Sequence, residues 1–415
     1  MTFQSINPAT GELLGEFPVT PPAAVEAALD RASVAWKDWR RRSLVARAMP
    51  FDAAARLLRE RKDAYARLMA LEMGKPLAQG AAEAEKCAAA CEYYAAQADV
   101  MLAPDERKTE ARDSYVRFDP LGVVLAIMPW NFPFWQVFRF AVPSLMAGNT
   151  ALLKHAPNVP QCAIALAELF REAGFPEGVF QSLFVEPESV GSLIADNRVS
   201  AVTLTGSPKA GASVGEHAGR HLKRSVLELG GSDPFVVLED ADLPAAARHA
   251  AEARLINSGQ SCIAAKRFIV VEKVADAFLE RFGTELERHR VGDPLAPGTD
   301  IGPLARFDLR DGLHAQVEES CRRGAKLLFG GAVPAGPGAY YPVTLLTDVL
   351  PGQPAFDEET FGPVAAVMRA RDERHAIELA NTSSYGLGAS LWTIDRARAE
   401  RLAVELETGS VFVNA

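Results

Sequence analysis

Short apolar runs alternate with helix-patterned stretches between Gly122 and Leu229. Residues 122–128, 150–154, 179–185, 201–205 and 225–229 are mostly apolar and read as strands. The stretches between them, at 134–146, up to Gly174, 189–197 and up to His221, carry apolar residues at helical spacing. Strands that are apolar along their length, each followed by a helix, predict a parallel sheet covered on both faces. A second alternation follows, with strands at 235–238, 267–271, 326–329, 364–368 and 390–393 and helices at 274–289, 313–323, 373–381 and 396–407. Upstream, residues 22–101 read as alanine-rich helix after an extended segment broken at Pro8-Ala9-Thr10-Gly11. Residues 102–120 alternate polar and apolar like an exposed strand or hairpin. Residues 292–303 and 333–338 are Pro/Gly-rich loops, and the chain ends within or just after a strand. The fold class is α/β, with two doubly wound parallel-sheet domains.

Length and composition narrow this only a little. At 415 residues more than one domain is expected, and 48% hydrophobic with 23% charged residues is a globular composition. A formal net charge of −9 supplies no basic footprint for nucleic acid or an anionic membrane. Five cysteines (Cys87, Cys91, Cys162, Cys262, Cys321) form no disulfide framework and suit a reducing compartment. With no signal-peptide pattern at the N-terminus and no apolar run of bilayer length, a cytoplasmic protein is expected.

The candidate chemistry sits where strands give way to helices, which is where ligands bind on sheets of this kind. Cys262 follows the polar turn Asn257-Ser258-Gly259-Gln260-Ser261, between a helical run and a strand. A cysteine there is either a small buried hydrophobe or a thiol backed by the core and open to a cleft, as a nucleophile requires. Gly206-Ser207-Pro208 opens a helix after a strand, and a helix start of that sort takes a pyrophosphate, or needs its glycine only to turn. Lys154 at a strand end is a candidate for ribose or phosphate, or a solvated lysine. Glu228 stands among apolar residues and glycines, where burial would raise its pKa toward that of a general base. Asn131, in Pro129-Trp130-Asn131-Phe132-Pro133, is an oxyanion donor or a helix N-cap. Cys87 with Cys91, and His217 with His221, have i, i+4 spacing but no further ligands nearby, so packing is favoured over metal in both pairs.

Together these motifs give the chain a close resemblance to the aldehyde dehydrogenase superfamily along nearly all of its length. The matching stretches are Pro129–Pro133, Leu227-Glu228-Leu229-Gly230-Gly231, Gly259-Gln260-Ser261-Cys262 and Glu359-Thr360-Phe361-Gly362-Pro363. More narrowly, residues 154–160 and 305–311 resemble a bacterial branch of NAD(P)-dependent succinate-semialdehyde dehydrogenases. The resemblance implies an NAD(P)-binding domain at 1–101 and 121–230, an oligomerisation segment at 102–120 and a catalytic domain at 231–415. It makes Cys262 the nucleophile, Glu228 the base that activates water, and Asn131 with the Cys262 N–H the oxyanion donors. Trp130, Lys154, Gly206, Ser207, Leu229, Glu359 and Phe361 fall to the cofactor, NAD or NADP, and Arg139 to the substrate.

The pattern departs from the family at three places. Pro157 stands where NAD-preferring members carry a glutamate for the adenine ribose, so NADP is expected to be accepted. Of two arginines that hold a succinate-type carboxylate in the family, Arg139 matches one, while Ile256 occupies the other position and Arg254 is a candidate to reach in. Family members continue past the point matching Ala415, through residues that line the substrate funnel and complete the oligomerisation sheet. The expected activity is therefore oxidation of a small aldehyde such as succinate semialdehyde to its acid, in a homo-oligomer. Two alternatives stay open at this point. One is a CoA-acylating dehydrogenase, against which Glu228 argues. The other is a cofactor-binding chain left inactive by its incomplete C-terminus.

Overall fold

A computed structural model describes residues 2–415, which divide into two compact units. The first comprises the chain up to Ile6, Leu13–Glu72 and Leu77–Leu229. It begins with an antiparallel ribbon of β1 (Thr2–Ile6) and β2 (Leu13–Pro18), followed by the helices α1 (Pro22–Trp39), α2 (Leu44–Glu60), α3 (Lys62–Met73) and α4 (Leu77–Met101). Two exposed two-residue strands, β3 (Asp105–Glu106) and β4 (Tyr115–Val116), pair antiparallel, so the hairpin expected over 102–120 forms only a short ladder.

Then the α/β alternation runs through β5 (Val123–Met128), α5 (Trp135–Met146), β6 (Thr150–His155), α6 (Pro160–Glu172), β7 (Phe180–Ser182), α7 (Val190–Ala195), β8 (Val199–Thr205), α8 (Pro208–Arg220) and β9 (Arg224–Glu228). The sheet is wholly parallel with order β7-β6-β5-β8-β9. Chain order reverses between β5 and β8, and that switch point is where such a sheet opens a crevice at its carboxyl edge. One expectation is corrected at the edge: β9 is not covered on both faces, and Val226 is 59% exposed. An edge strand has a neighbour on one side only, and α8 covers just one face of this one, where Leu227 and Leu229 meet Gly215 and Gly211.

The second unit comprises residues 7–12, 73–76 and 230–415. Its elements are β10 (Asp233–Val237), α9 (Leu243–Leu255), β11 (Ala265–Val271), α10 (Glu272–Glu287), α11 (Phe307–Arg322), β12 (Lys326–Phe329), β13 (Thr344–Thr347), α12 (Pro354–Asp357), β14 (Val364–Ala370), α13 (Glu373–Asn381), β15 (Ala389–Trp392), α14 (Arg396–Ala403) and β16 (Val411–Val413). The order is β12-β13-β14-β11-β10-β15-β16. Alternate residues of its central strands feed two separate cores, Val236 and Ile269 on one face, Phe235, Val237, Phe268 and Val270 on the other. This is the period-two pattern of a sheet buried on both faces. Two features depart from the expected all-parallel sheet. β12 runs antiparallel at the edge, and β13, not expected from the sequence, joins it to β14. α11 also begins at Phe307, six residues before its strongest apolar periodicity starts at Leu313.

In the first unit a buried carboxylate replaces a helix cap. Glu72, on α3, accepts hydrogen bonds from the Gln161 and Cys162 N–H groups (2.9 and 2.8 Å) at the start of α6 and from the Ser5 hydroxyl (2.7 Å). It thereby satisfies two of the donors that every helix leaves open at its start. Replacing Glu72 with Ala strands all three donors in the interior. The expected cost is about 3 kcal/mol of stability, read as a lower urea midpoint with an unchanged slope.

Candidate active site

The thiol sits on a loop whose backbone the chain would not adopt unaided. After α9, Asn257 (φ 54°), Ser258 (φ 56°) and Gly259 (φ 75°) follow one another in the left-handed region. For the two non-glycine residues this conformation is unfavourable and persists only where the surroundings dictate it. Specific bonds do so here. The Ser258 hydroxyl accepts the Gly302 N–H (3.0 Å), the Gln260 amide oxygen accepts the Ala305 N–H (2.9 Å), and the Asn257 amide donates to the Gln260 carbonyl (2.9 Å). Arg254 donates to the Gly259 carbonyl (2.6 Å), and Lys266 donates to the carbonyls of Ser261, Cys262 and Ala264 (2.9, 2.9 and 3.1 Å). Gly259 is required on a second ground: a Cβ there would stand 2.2 Å from the Gly362 carbonyl oxygen.

Cys262 is half-buried and its neighbour Ile263 is exposed, whereas Cys87, Cys91 and Cys162 are fully buried. Burial pushes the Cys91 thiol pKa up. The first two thus pack in the core as expected, and no group of metal-ligating side chains occurs among the described residues. Arg254 does not extend toward a substrate: it is wholly buried against Gly259, and burial lowers its pKa to about 9. Glu359 accepts the Gly231 N–H (3.1 Å) and lies 3.6 Å from the Lys266 ammonium. Phe361, two residues on, is half-buried. The second unit therefore brings Cys262 and Glu359 together through one lysine, which nothing in the sequence marked, because Lys266 sits in a run that reads only as a strand.

In the first unit the candidates gather at the carboxyl ends of β5, β6, β8 and β9. Asn131 and half-buried Trp130 follow β5, and Asn131 is buried. It is not a helix cap: α5 starts after Phe134, and the N–H groups of Phe134 and Trp135 are received by Glu83 of α4 (both 2.9 Å). Lys154, near the end of β6, is buried rather than solvated, and burial lowers its pKa against the supporting field of Glu188. Ser207 caps α8 by accepting the Ala210 N–H (3.3 Å). Gly206 has no positive φ, and a Cβ there would meet nothing nearer than Leu204 at 3.6 Å, so the turn itself does not call for glycine. The Leu229 side chain packs against Gly211 of α8. His217 packs on Gly191, and His221 ends α8.

Glu228 differs from expectation. Its side chain is 42% exposed, so burial is not what conditions it. β9 is an edge strand, and its last residue projects toward a cavity of about 890 Å³ lined by Gln136, Arg139, Phe140, Thr205 and Glu228, among others. There the Arg139 guanidinium stands 3.6 Å from the Glu228 carboxylate and donates to the Thr205 hydroxyl (3.3 Å). The sequence named both residues but gave no sign that they form an ion pair.

Comparison with known proteins gives the family of the chain. Residues 1–415 match the Aldehyde dehydrogenase family. The chain is 49% identical over 414 residues to a protein of Synechocystis sp. named probable succinate-semialdehyde dehydrogenase (NADP+), covering 100% of this chain and 91% of that one. It is 48% identical over 410 residues to the succinate semialdehyde dehydrogenase (NAD(P)+) Sad of Escherichia coli, covering 99% and 89%. Among solved structures, succinic semialdehyde dehydrogenase from Streptococcus pyogenes in complex with NADP+ superposes with a TM-score of 0.97 at 36% identity, covering 100% of this chain and 91% of that chain.

Gly259→Ala tests the loop directly. A left-handed alanine and a Cβ overlapping a carbonyl together are expected to cost at least about 2 kcal/mol. The measurement is equilibrium unfolding, with the released thiol followed by reaction with a disulfide reagent.

Proposed function

The chain belongs to the aldehyde dehydrogenase family, and from that premise we propose that it oxidises succinate semialdehyde to succinate with NADP or NAD. The observation that carries the reading is the nucleophile loop, whose carbonyl groups are tied to buried side chains around a half-buried cysteine. Cys262 as thiolate adds to the aldehyde carbon, and the carbonyl oxygen becomes an oxyanion held by the Asn131 amide and the Cys262 N–H. The cofactor, when bound, supplies hydride acceptance, which converts the thiohemiacetal to a thioester. Glu228 takes a proton from water, the resulting hydroxide attacks the thioester carbon, and the carboxylate leaves as the thiol is restored.

The residues present fit such a cofactor. Gly206 leaves open the space a side chain would fill at the start of α8, where the helix dipole suits a pyrophosphate. Asn158, in the loop after β6, has a buried side-chain amide whose oxygen and nitrogen both lack a hydrogen-bond partner. Trp130, Lys154, Ser207, Leu229, Glu359 and Phe361 complete the assignment, with Lys154 and Glu359 for the two riboses. Pro157 in place of an acidic residue removes a charge that would repel a 2′-phosphate, in keeping with the NADP named for the relatives. We assign residues 1–101 and 121–230 to cofactor binding, 102–120 to oligomerisation and 231–415 to catalysis. Sparse cysteines and the absence of a bilayer-length apolar helix among the described residues support a cytoplasmic setting.

Arg139 supplies the charge that recognises the distal carboxylate, and its loose pairing with Glu228 is one an incoming carboxylate can replace. Assay of semialdehydes and uncharged aliphatic aldehydes with each cofactor tests the reading; no cofactor reduction with any of them would refute it. Cys262→Ala is expected to abolish turnover while cofactor still binds by calorimetry. Arg139→Leu is expected to lower kcat/KM for succinate semialdehyde about 10- to 100-fold, with a much smaller change for an uncharged aldehyde of equal length. Equal losses for both substrates would remove Arg139 from specificity.

A further inference from the structure

Lys266, the second residue of β11, is wholly buried, yet its ammonium touches no regular backbone ladder. Its nitrogen donates to three carbonyl oxygens of the loop that precedes the strand: Ser261, Cys262 and Ala264. An ammonium has three N–H groups, and three carbonyls use them all. Glu359 lies 3.6 Å from the same nitrogen, and its carboxylate also accepts the Gly231 N–H. Burying a cation is costly, and a loop could be closed here by apolar packing alone. What a single buried charge adds is control over the direction of several peptide planes at once.

That control bears on the thiol. In a trans peptide the C=O and the following N–H point in opposite directions, and no cis peptide occurs among the described residues. Holding the Ser261 oxygen toward Lys266 turns the Cys262 N–H away from it, and holding the Cys262 oxygen does the same to the Ile263 N–H. The Ser261 oxygen also accepts the Ala264 N–H (3.2 Å), which reinforces the first plane. Arg254 and Asn257 hold the Gly259 and Gln260 oxygens, so the carbonyls leading into the cysteine each have a fixed acceptor role.

We propose that Lys266 is a positioning residue for the nucleophile: it sets the direction of the Cys262 N–H as an oxyanion donor and ties that direction, through Glu359, to the carboxylate assigned to the cofactor ribose. The inference rests on the reading of Cys262 as nucleophile. Lys266 acts through the peptide groups that it holds. Its charge is conditional. Burial lowers its pKa to about 8, with Glu359 from the loop before β14, Asp233 of β10 and the Cys262 thiol supporting the charged form and Arg254 of α9 opposing it. The ammonium is present below that pH and lost above it. A neutral amine has two N–H groups, so one of the three carbonyls must then be released.

The experiment compares the native protein with Lys266→Met and Lys266→Arg by steady-state kinetics and by amide hydrogen exchange of the peptide spanning residues 259–264. Lys266→Met is expected to lower kcat about 10- to 100-fold, as for a weakened oxyanion donor, with little change in KM. The same variant is expected to exchange faster across the loop. Lys266→Arg keeps a charged donor and is expected to recover part of kcat. Native kcat is expected to fall as pH rises past about 8. Native kcat retained in Lys266→Met, or loop exchange unchanged from the native protein, overturns the proposal. Should Lys266→Met fail to fold, the native pH profile decides: a kcat that stays flat or rises through that pH overturns it. A native protein that oxidises no aldehyde refutes the proposed function instead, and the exchange measurement still reads what Lys266 does to the loop.

Discussion

Three successive left-handed residues ahead of a cysteine are a conformation the chain cannot hold by itself, and much of the second unit's local order serves to hold it. The means is attraction between side-chain donors and backbone oxygens in a dry interior. Arg254 and Lys266, both wholly buried, accept depressed pKa values in order to reach carbonyls that no helix or strand satisfies. Each of these bonds is modest in net terms, but losing one strands a buried group, which is far more costly than the bond is favourable. Such bonds resist reorientation of the loop, which suits the oxyanion donor proposed there, since a donor that must reorient gives up much of its advantage.

The first unit solves a different problem with looser contacts. At the carboxyl edge of its sheet Arg139 and Glu228 are half-exposed and paired at ion-pair rather than hydrogen-bond distance. Exposed pairs of this sort contribute little to stability. Their use is orientation that can be surrendered, which suits the roles proposed for Glu228 with water and for Arg139 with a substrate carboxylate. Where the same unit needs permanence it uses buried carboxylates on helix starts, Glu72 on α6 and Glu83 on α5.

The sequence made the architecture legible because strands buried on both faces announce themselves as apolar runs, and because the thiol, the amide, the carboxylate and the glycines stand in recognisable stretches. It was silent wherever a neighbour distant in sequence decided the outcome. β13 is four residues between loops, and one of its two partner strands, β14, lies beyond the next helix. The exposure of β9 follows from its place at the sheet edge, which no local pattern encodes. Glu228 was expected to be buried because its neighbours are apolar, yet the edge position opened it to solvent and to Arg139. Lys266 looked like one polar residue at the start of a strand; only the return of the loop over its ammonium gives it a role.

The close approach of Gly259 to the Gly362 carbonyl carries a consequence for how this chain can diverge. Two backbones touch there with no room for a side chain between them, so the segment bearing Cys262 and the one bearing Glu359 and Phe361 are effectively one surface. Neither can shift or accept an inserted residue unless the other moves with it. Drift toward new aldehydes must therefore come from the walls around this pair of segments, while the pair itself is inherited as a block.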